Sequence, residues 1–438
     1  MSIRYAELDD LQALPLDAKI ERAVQAIGEG FAASRHNQAI AFSGGKDSTV
    51  LWWLIRTYFP ERKPYIIFGN TGVEYPESLR FAREIGKAWG GERFREARPA
   101  KLERDGLKYA AQCEVLAWLD REGRLCEVLQ EDGKLKTTET LENKTTPEMR
   151  ADFERRGLVW HKGTTMSFWW CADQYGFPIL GKSKSKLDAR RINIDCFLRW
   201  SKSASENEEL LAYYNLLRRV KISQHCCKLL KKEPSERMQA ELDVDVIYKG
   251  LMAAESRARM TSYCMRGELF ASHRDHLPES DPFYHCNPLG IWTDDDIWAC
   301  IRKFNIPYSP LYDIGYTDNL GVRHKIARNG CWVCATGIAF ADNQLAMLRR
   351  THPGLWQTVM RSGMGDQLRA LRMERANGQM SLLDVYTTEE LMEIRPCAFD
   401  SVDKIIMSDD TISEYDDEGP EMEELVQANL AGLCRETV

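Results

Sequence analysis

The chain has 438 residues, 44% of them hydrophobic, and a formal net charge of −7. That length can fill more than one core, and the acidic average removes any global electrostatic reason to expect a nucleic-acid partner, although a basic patch can lie within it. The first twelve residues are acidic where a signal peptide needs a basic end and an apolar core, and no apolar run approaches the roughly 18 residues of a spanning helix. A soluble cytoplasmic protein with no membrane partner is expected. Without an export signal, its 13 cysteines are read as reduced thiols, either metal or cluster ligands or small buried hydrophobes.

Residues up to about 30 read as an N-terminal helical segment, with Ile20, Ala23, Val24 and Ile27 on one helix face. A short strand follows at Ala39 to Phe42, then a helix from Lys46 to Tyr58 that Pro60 ends. The arrangement repeats: an apolar strand Tyr65 to Phe68, a polar turn, and a helix from Pro76 to the glycine pair at 90 and 91. Strand and helix alternating over short links predict an α/β fold, a doubly wound, mostly parallel sheet. Between about 119 and 165 the composition turns strongly charged. Asp132-Gly133 there reads as a hairpin turn, and the segment as either a lid or a solvated appendage. The α/β pattern returns with a strand ending near Gly250 and a helix after it. Another helix fits residues 293–304, capped by Thr293, with Asp294, Asp295 and Asp296 suited to the dipole of its first turn. From about 341 to 438 the chain reads as mainly helical, with an acidic stretch around 408–425.

The passage from Phe42 into the first core helix carries chemistry. Ser43-Gly44-Gly45-Lys46-Asp47-Ser48 stands between a strand and a helix. Two glycines allow close backbone approach, so that amide hydrogens and the helix dipole converge on an anion. Lys46 supplies a point charge for phosphate, and the hydroxyls of Ser43 and Ser48 can donate to its oxygens. Asp47 offers hard oxygen to magnesium. The loop resembles the pyrophosphate loop of the adenine-nucleotide α-hydrolase superfamily, the PP-loop ATP pyrophosphatases, at Ser43, Gly44, Gly45, Asp47 and Ser48. The resemblance implies ATP with Mg2+, attack at the α phosphorus and release of pyrophosphate, with Lys46 and Asp47 in catalytic roles.

Residues 70–77, Asn-Thr-Gly-Val-Glu-Tyr-Pro-Glu, are similar to the phosphoadenosine phosphosulfate reductase-like branch of that superfamily and imply that Thr71, Gly72 and Glu74 border the nucleotide. Pro76 and Glu77 also serve simple helix initiation. Gly250, Glu255, Ser256 and Arg259 match a further segment of the branch, whereas Met252 stands where it usually has arginine. Residues 288–316 carry its Trp, Asp-Ile-Trp, Ile-Pro-Tyr and Leu-Tyr-x-x-Gly-Tyr pattern. The resemblance makes residues 31–340 the catalytic domain, with the cysteine region at 226–334.

Cys226-Cys227 and Cys331-x-x-Cys334 supply two pairs of thiols, the donors of a [4Fe-4S] cluster or a structural zinc. Adjacent cysteines suit a cluster better than one tetrahedral ion. The pattern resembles that of cluster-bearing adenosine phosphosulfate reductases, which implies a [4Fe-4S] cluster on Cys226, Cys227, Cys331 and Cys334. Cys171, Cys196, Cys264 and Cys286 are substitutes, and Lys221, Lys228 and Arg328 lie close in sequence as counter-charges or as solvated surface. Cys434 stands near the terminus, where the family's reductases carry an attacking cysteine, but the match is one residue deep.

An intact loop favours an ATP pyrophosphatase that adenylates an acceptor oxygen for sulfur transfer. By resemblance to the pyrophosphatases of DNA phosphorothioation, the acceptor is DNA and a cysteine desulfurase is the sulfur donor. Lys134, Lys136, Lys144, Arg150, Arg155 and Arg156 in the charged segment are the candidate DNA contacts, with a solvated surface as the alternative. A sulfonucleotide reductase with a thioredoxin-like partner is the second expectation, and a nucleotide-binding regulator without catalysis the third.

Overall fold

The computed structural model describes residues 5–131, 135–178, 223, 225–317, 321–334 and 344–362. Helices α1 (Tyr5–Gln12) and α2 (Leu16–Ala33) lead into β1 (Asn37–Phe42), α3 (Lys46–Tyr58), β2 (Tyr65–Gly69), α4 (Pro76–Ile85) and β3 (Phe94–Ala97). A second stretch holds β4 (Gly106–Leu107), α5 (Tyr109–Arg121), α6 (Thr138–Glu142), α7 (Pro147–Arg155), β5 (Val159–Trp160) and α8 (Phe168–Tyr175). The chain then supplies α9 (Glu233–Glu241), β6 (Val244–Lys249), α10 (Arg257–Arg266), β7 (Leu269–Ser272), β8 (Phe283–Cys286) and α11 (Asp294–Phe304). Last come β9 (Gly315–Thr317), β10 (Arg323–Lys325), α12 (Gln344–Thr351) and α13 (Pro353–Met360).

Six strands form the central sheet in the order β3-β2-β1-β6-β8-β7. The neighbours are parallel except for β7, which runs antiparallel to β8 at the edge. Strand order therefore reverses between β1 and β6, and the crevice beyond their carboxyl ends is where an open α/β sheet takes its ligand. Both faces are covered, as a parallel sheet requires. On one face Ile40 and Phe42 of β1 and Val246 and Tyr248 of β6 pack with Val50, Leu51 and Leu54 of α3 and Ile27 of α2. On the other, Ala39, Ile67, Ala97, Val244, Ile247 and Phe283 close a smaller core. The alternation along β1, and along β6 from Val246 to Tyr248 past a register shift at Val244, is the two-residue period of a strand.

The described residues fall into two compact units. One holds residues up to Pro99 with Leu230–Asp313; the other holds those from Ala100 to Leu229 and from Ile314 onward. In the second unit the charged segment is no solvated appendage. Leu107, Val115, Leu119, Val128, Leu141, Phe153 and Val159 form a core of their own. Its short helices start where local chemistry dictates: Thr137 caps α6 by accepting from Thr140 N, and Thr146 caps α7 by accepting from Met149 N. The charges pair on the outer faces, as Arg155 with Asp152 at 2.9 Å and Arg156 with Glu114 at 2.6 Å. Asp132-Gly133 lies outside the described residues, flanked by an antiparallel bridge between Leu129 and Leu135. In α12 and α13, Leu345, Leu348, Leu355, Trp356 and Val359 are buried. The acidic stretch and Cys434 lie outside the described residues, as do Lys134, Cys196 and Lys221.

Candidate nucleotide site and cysteine group

At the end of β1 the chain turns through Ser43, Gly44 and Gly45 into α3. Gly44 has φ +71°, and a Cβ on it would meet the Cβ of Ala82 at 2.9 Å, so both its conformation and its neighbour require glycine. A Cβ on Gly250, just past β6, would meet the backbone carbonyl of Asp47 at 3.0 Å, which brings the second strand exit against the loop. The serines brace it: the Ser43 and Ser48 hydroxyls are 3.1 Å apart, Gly45 N donates to Ser43 Oγ at 3.2 Å, and Ser48 Oγ donates to Gly45 O at 3.0 Å. Lys46 N donates to the Tyr312 hydroxyl at 3.1 Å.

Lys46 is the charge centre. Its ammonium lies 3.2 Å from Asp47 Oδ1 and 2.7 Å from Asp294 Oδ1, with the Tyr312 ring centroid at 5.6 Å. Burial alone would lower the Lys46 pKa, but Asp47, Tyr312 and Asp294 outweigh it and hold the ammonium above its ordinary value. Burial pushes the Asp47 carboxyl up against the pull of Lys46, and the nearby Asp294 charge adds to that push. One cation thus serves two carboxylates. Asp294 and Tyr312 were not among the expected site residues. Asp294 was read only as a helix-dipole residue, and the one hint in sequence is an acidic helix start with a carboxylate beyond what capping needs.

The remaining expected residues organise the turns around the loop. Glu74 closes the β2 exit by accepting from Thr71 N at 3.0 Å, Thr71 Oγ1 at 2.6 Å and Gly72 N at 3.0 Å. Asn70 donates to Glu96 at 3.2 Å. Burial would raise Glu96, yet hydrogen bonds from Arg83, Arg98 and Asn70 bring it down to about 2. At the β6 exit, Glu255 accepts from Met252 N at 3.0 Å and pairs with Arg259, while Ser256 caps α10 by accepting from Arg259 N at 3.3 Å. Met252 is packed into the core, and the charge of Arg259 reaches Asp47.

In the second unit, Cys226 and Cys227 sit in the short helical turn His225–Cys227, and Cys331 and Cys334 flank a turn in which Cys334 N donates to Cys331 O at 3.0 Å. The two pairs come together. The Cys226 thiol is pushed up by its hydrogen bond with Cys227, by burial, and by the charges of Cys227, Cys334 and Cys331. Aromatic rings line this region, with Tyr175 stacked on His225 at 4.7 Å and Trp169 at 6.3 Å from Trp332. Cys171 is buried in α8, in the same unit, whereas Cys264 and Cys286 belong to the other unit's core. Lys228 and Arg328 are exposed. Elsewhere in this unit Asp105, Glu154 and His161 bring metal-capable atoms within 4.8 Å of one another, but Arg150 already lies 3.8 Å from Asp105 and 3.9 Å from Glu154.

Comparison with known proteins bears on both regions. The family model described as "Phosphoadenosine phosphosulfate reductase domain" matches residues 37–143 and 161–336, more than half of the chain. A phosphoadenosine 5′-phosphosulfate reductase from Xanthomonas axonopodis pv. citri is 32% identical over 102 residues, 23% of this chain and 36% of that protein. Adenosine 5′-phosphosulfate reductases from Burkholderia cepacia and Allochromatium vinosum are 28% and 34% identical, over 22% and 28% of this chain and 34% and 40% of theirs. The chain thus matches little more than a third of the length of these relatives. A solved structure of phosphoadenylyl-sulfate reductase from Candida auris aligns with TM-score 0.31 and 13% identity, covering 75% of this chain and 99% of the other. The fold itself rests on the sheet order above. No helix among the described residues is long and apolar enough to cross a membrane. The chain belongs to the phosphoadenosine phosphosulfate reductase domain family.

Proposed function

We propose that the glycine loop seats the phosphates of an adenine nucleotide and that the chain is a sulfonucleotide reductase, releasing sulfite from adenosine 5′-phosphosulfate or its 3′-phosphorylated form. The observation that carries this reading is the gathering of Cys226, Cys227, Cys331 and Cys334 in one unit of a chain in this family. The similarity to reductases of these two sulfonucleotides supports it over the phosphorothioation reading. Three thiols set about Cys226 so as to oppose its ionisation fit iron: a [4Fe-4S] cluster takes four thiolates and compensates their charge. Such a cluster would supply an electron-carrying or sulfur-relaying centre. The chain's own residues hold the nucleotide, with Lys46 and the loop amides on phosphate and Asp47 facing any accompanying Mg2+. Reduction of sulfate sulfur to sulfite takes two electrons. A dithiol partner of thioredoxin type would supply them, ending as a disulfide while adenosine monophosphate leaves, or adenosine 3′,5′-bisphosphate where the substrate carries the 3′-phosphate.

A second reading is favoured by one specific observation, the complete loop with Lys46 held beside Asp47. In it the chain cleaves ATP to pyrophosphate, adenylates an acceptor oxygen and prepares it for sulfur transfer, with DNA as acceptor and a cysteine desulfurase as donor. One experiment separates the readings. Anaerobically purified protein is assayed for sulfite release from both sulfonucleotides with a dithiol donor and for pyrophosphate release from ATP, with iron and sulfide counted on the same sample. Sulfite release that is lost in Cys226→Ser supports the reductase. Pyrophosphate release that is lost in Lys46→Ala, with no sulfite, replaces it by the second reading. Nucleotide binding without either product would leave only the regulator.

A further inference from the structure

We propose that Asp294 sets the charge of the phosphate seat, so that nucleotide phosphates are admitted together with a divalent cation rather than as a bare anion. This rests on the reading of the glycine loop as the nucleotide seat, which both functions above share.

The argument is a charge count. Lys46 is the loop's own cation, and its side chain is 6% exposed. It faces Asp47 at 3.2 Å and Asp294 at 2.7 Å, which leaves the group with a net charge of about −1 when all three are ionised. Among the described residues, Arg259, whose charge also reaches Asp47, is paired with Glu255. A phosphate that approaches Lys46 alone must displace Asp294 and then lie beside two carboxylates with a single ammonium between them. A divalent cation changes the sign of that balance. Magnesium keeps several of its waters and is bound through one or two carboxylates plus substrate phosphates. The Asp294 side chain, 61% exposed, has room for a hydrated partner.

The same geometry shows that Asp294 is not spent on its helix. The cap of α11 is built by its neighbours: Thr293 Oγ1 accepts from Asp296 N at 3.4 Å, and Asp296 Oδ2 accepts from Thr293 N at 2.8 Å. Asp296 also holds the buried Lys19 at 2.6 Å. Removing the charge at 294 therefore spares the cap and the ion pair that anchor α11, and acts on Lys46.

The test is calorimetric titration of adenosine 5′-phosphosulfate and of the imido analogue of ATP, in which the β,γ bridge is nitrogen, each with Mg2+ or with EDTA. It compares the wild type with Asp294→Asn, Asp294→Glu, Lys46→Ala and the neighbouring control Asp295→Asn. Mg2+ is expected to tighten wild-type binding by about tenfold or more, a charge effect of ordinary size for a partly exposed site. Asp294→Asn should bind more tightly than wild type in EDTA and lose most of the Mg2+ effect, while Asp294→Glu and Asp295→Asn retain it. A merely structural role would weaken binding equally in both buffers. Wild-type binding indifferent to Mg2+, or a wild-type Mg2+ ratio in Asp294→Asn, overturns this inference alone if Lys46→Ala still abolishes binding. Failure of both nucleotides to bind the wild type, or binding that survives unchanged in Lys46→Ala, overturns the nucleotide seat as well.

Discussion

The glycine loop and the cysteine group assemble functional side chains on opposite principles. In the loop, protein groups answer one another: Lys46 lies between Asp47 and Asp294, and Ser43, Ser48 and Gly45 share hydrogen bonds. At the cysteine group like meets like, and ionising Cys226 works against Cys227, Cys331 and Cys334. The first arrangement is complete as protein and treats its ligand as a visitor that must compete for Lys46. The second keeps Cys226 a neutral thiol until a shared cationic centre makes thiolates favourable, so binding such a centre should stabilise that unit.

The largest effect that could break this comparison is removal of one thiol. Cys331→Ser is expected to abolish iron and sulfide binding and to destabilise the cysteine-bearing unit strongly, since structural metal sites contribute on the order of 10 kcal/mol. Nucleotide affinity at the loop should stay at the wild-type value. Metal analysis and calorimetric melting of the anaerobic protein check this. Wild-type iron content and melting in the variant would show that the thiols merely neighbour one another.

A smaller change asks how far that unit stands on its own core. Phe153, 2% exposed within the second unit's apolar cluster, should cost about 3–5 kcal/mol when truncated to alanine. Arg155, paired with Asp152 on the outer face of the same helix, should leave stability unchanged when truncated. Iron content per folded molecule should remain constant in both. If Phe153→Ala instead proves silent in denaturant titrations, the charged segment is a loose surface after all and the cysteines carry the unit.

What the sequence made legible follows how far apart the partners lie along the chain. The turn from β1 into α3 was readable to the residue because strand end, glycines, lysine and helix start are contiguous. The cap of α11 was readable for the same reason, through Thr293, though not the reciprocal bond that Asp296 accepts. The contact of Asp294 with Lys46 was not, because only the return of the chain to the carboxyl end of the sheet brings the two together. The core under the charged segment was hidden differently. Val115 and Leu119 come from α5, which begins ahead of the charged segment, and Leu141, Phe153 and Val159 from three elements too short to show an apolar period, while the paired charges on their outer faces dominate the composition. Each cysteine pair was visible by spacing, but its meeting with the other pair depends on the tertiary fold.

The smallest effect concerns a second cation held between two carboxylates, at the amino end of the sheet. His36 Nδ1 lies 2.8 Å from Asp243 and Nε2 3.1 Å from Asp281, beside Asp245, whose carboxylate takes the Arg35 and His36 amides. The hydrogen bonds to Asp281 and to Asp243 raise the His36 pKa above its ordinary value, against a small contribution from burial. Unlike Lys46, this cation titrates in the range where proteins are assayed. A raised folded-state pKa contributes stability that is fully present below the unfolded value, near 6.5, and is lost as pH rises through the higher folded value. Wild type should therefore exceed His36→Gln in urea midpoint at pH 5 to 6, and the difference should shrink as the pH is raised past neutrality. Parallel pH profiles for wild type and His36→Gln would mean that the two carboxylates hold the ring by geometry and not by charge.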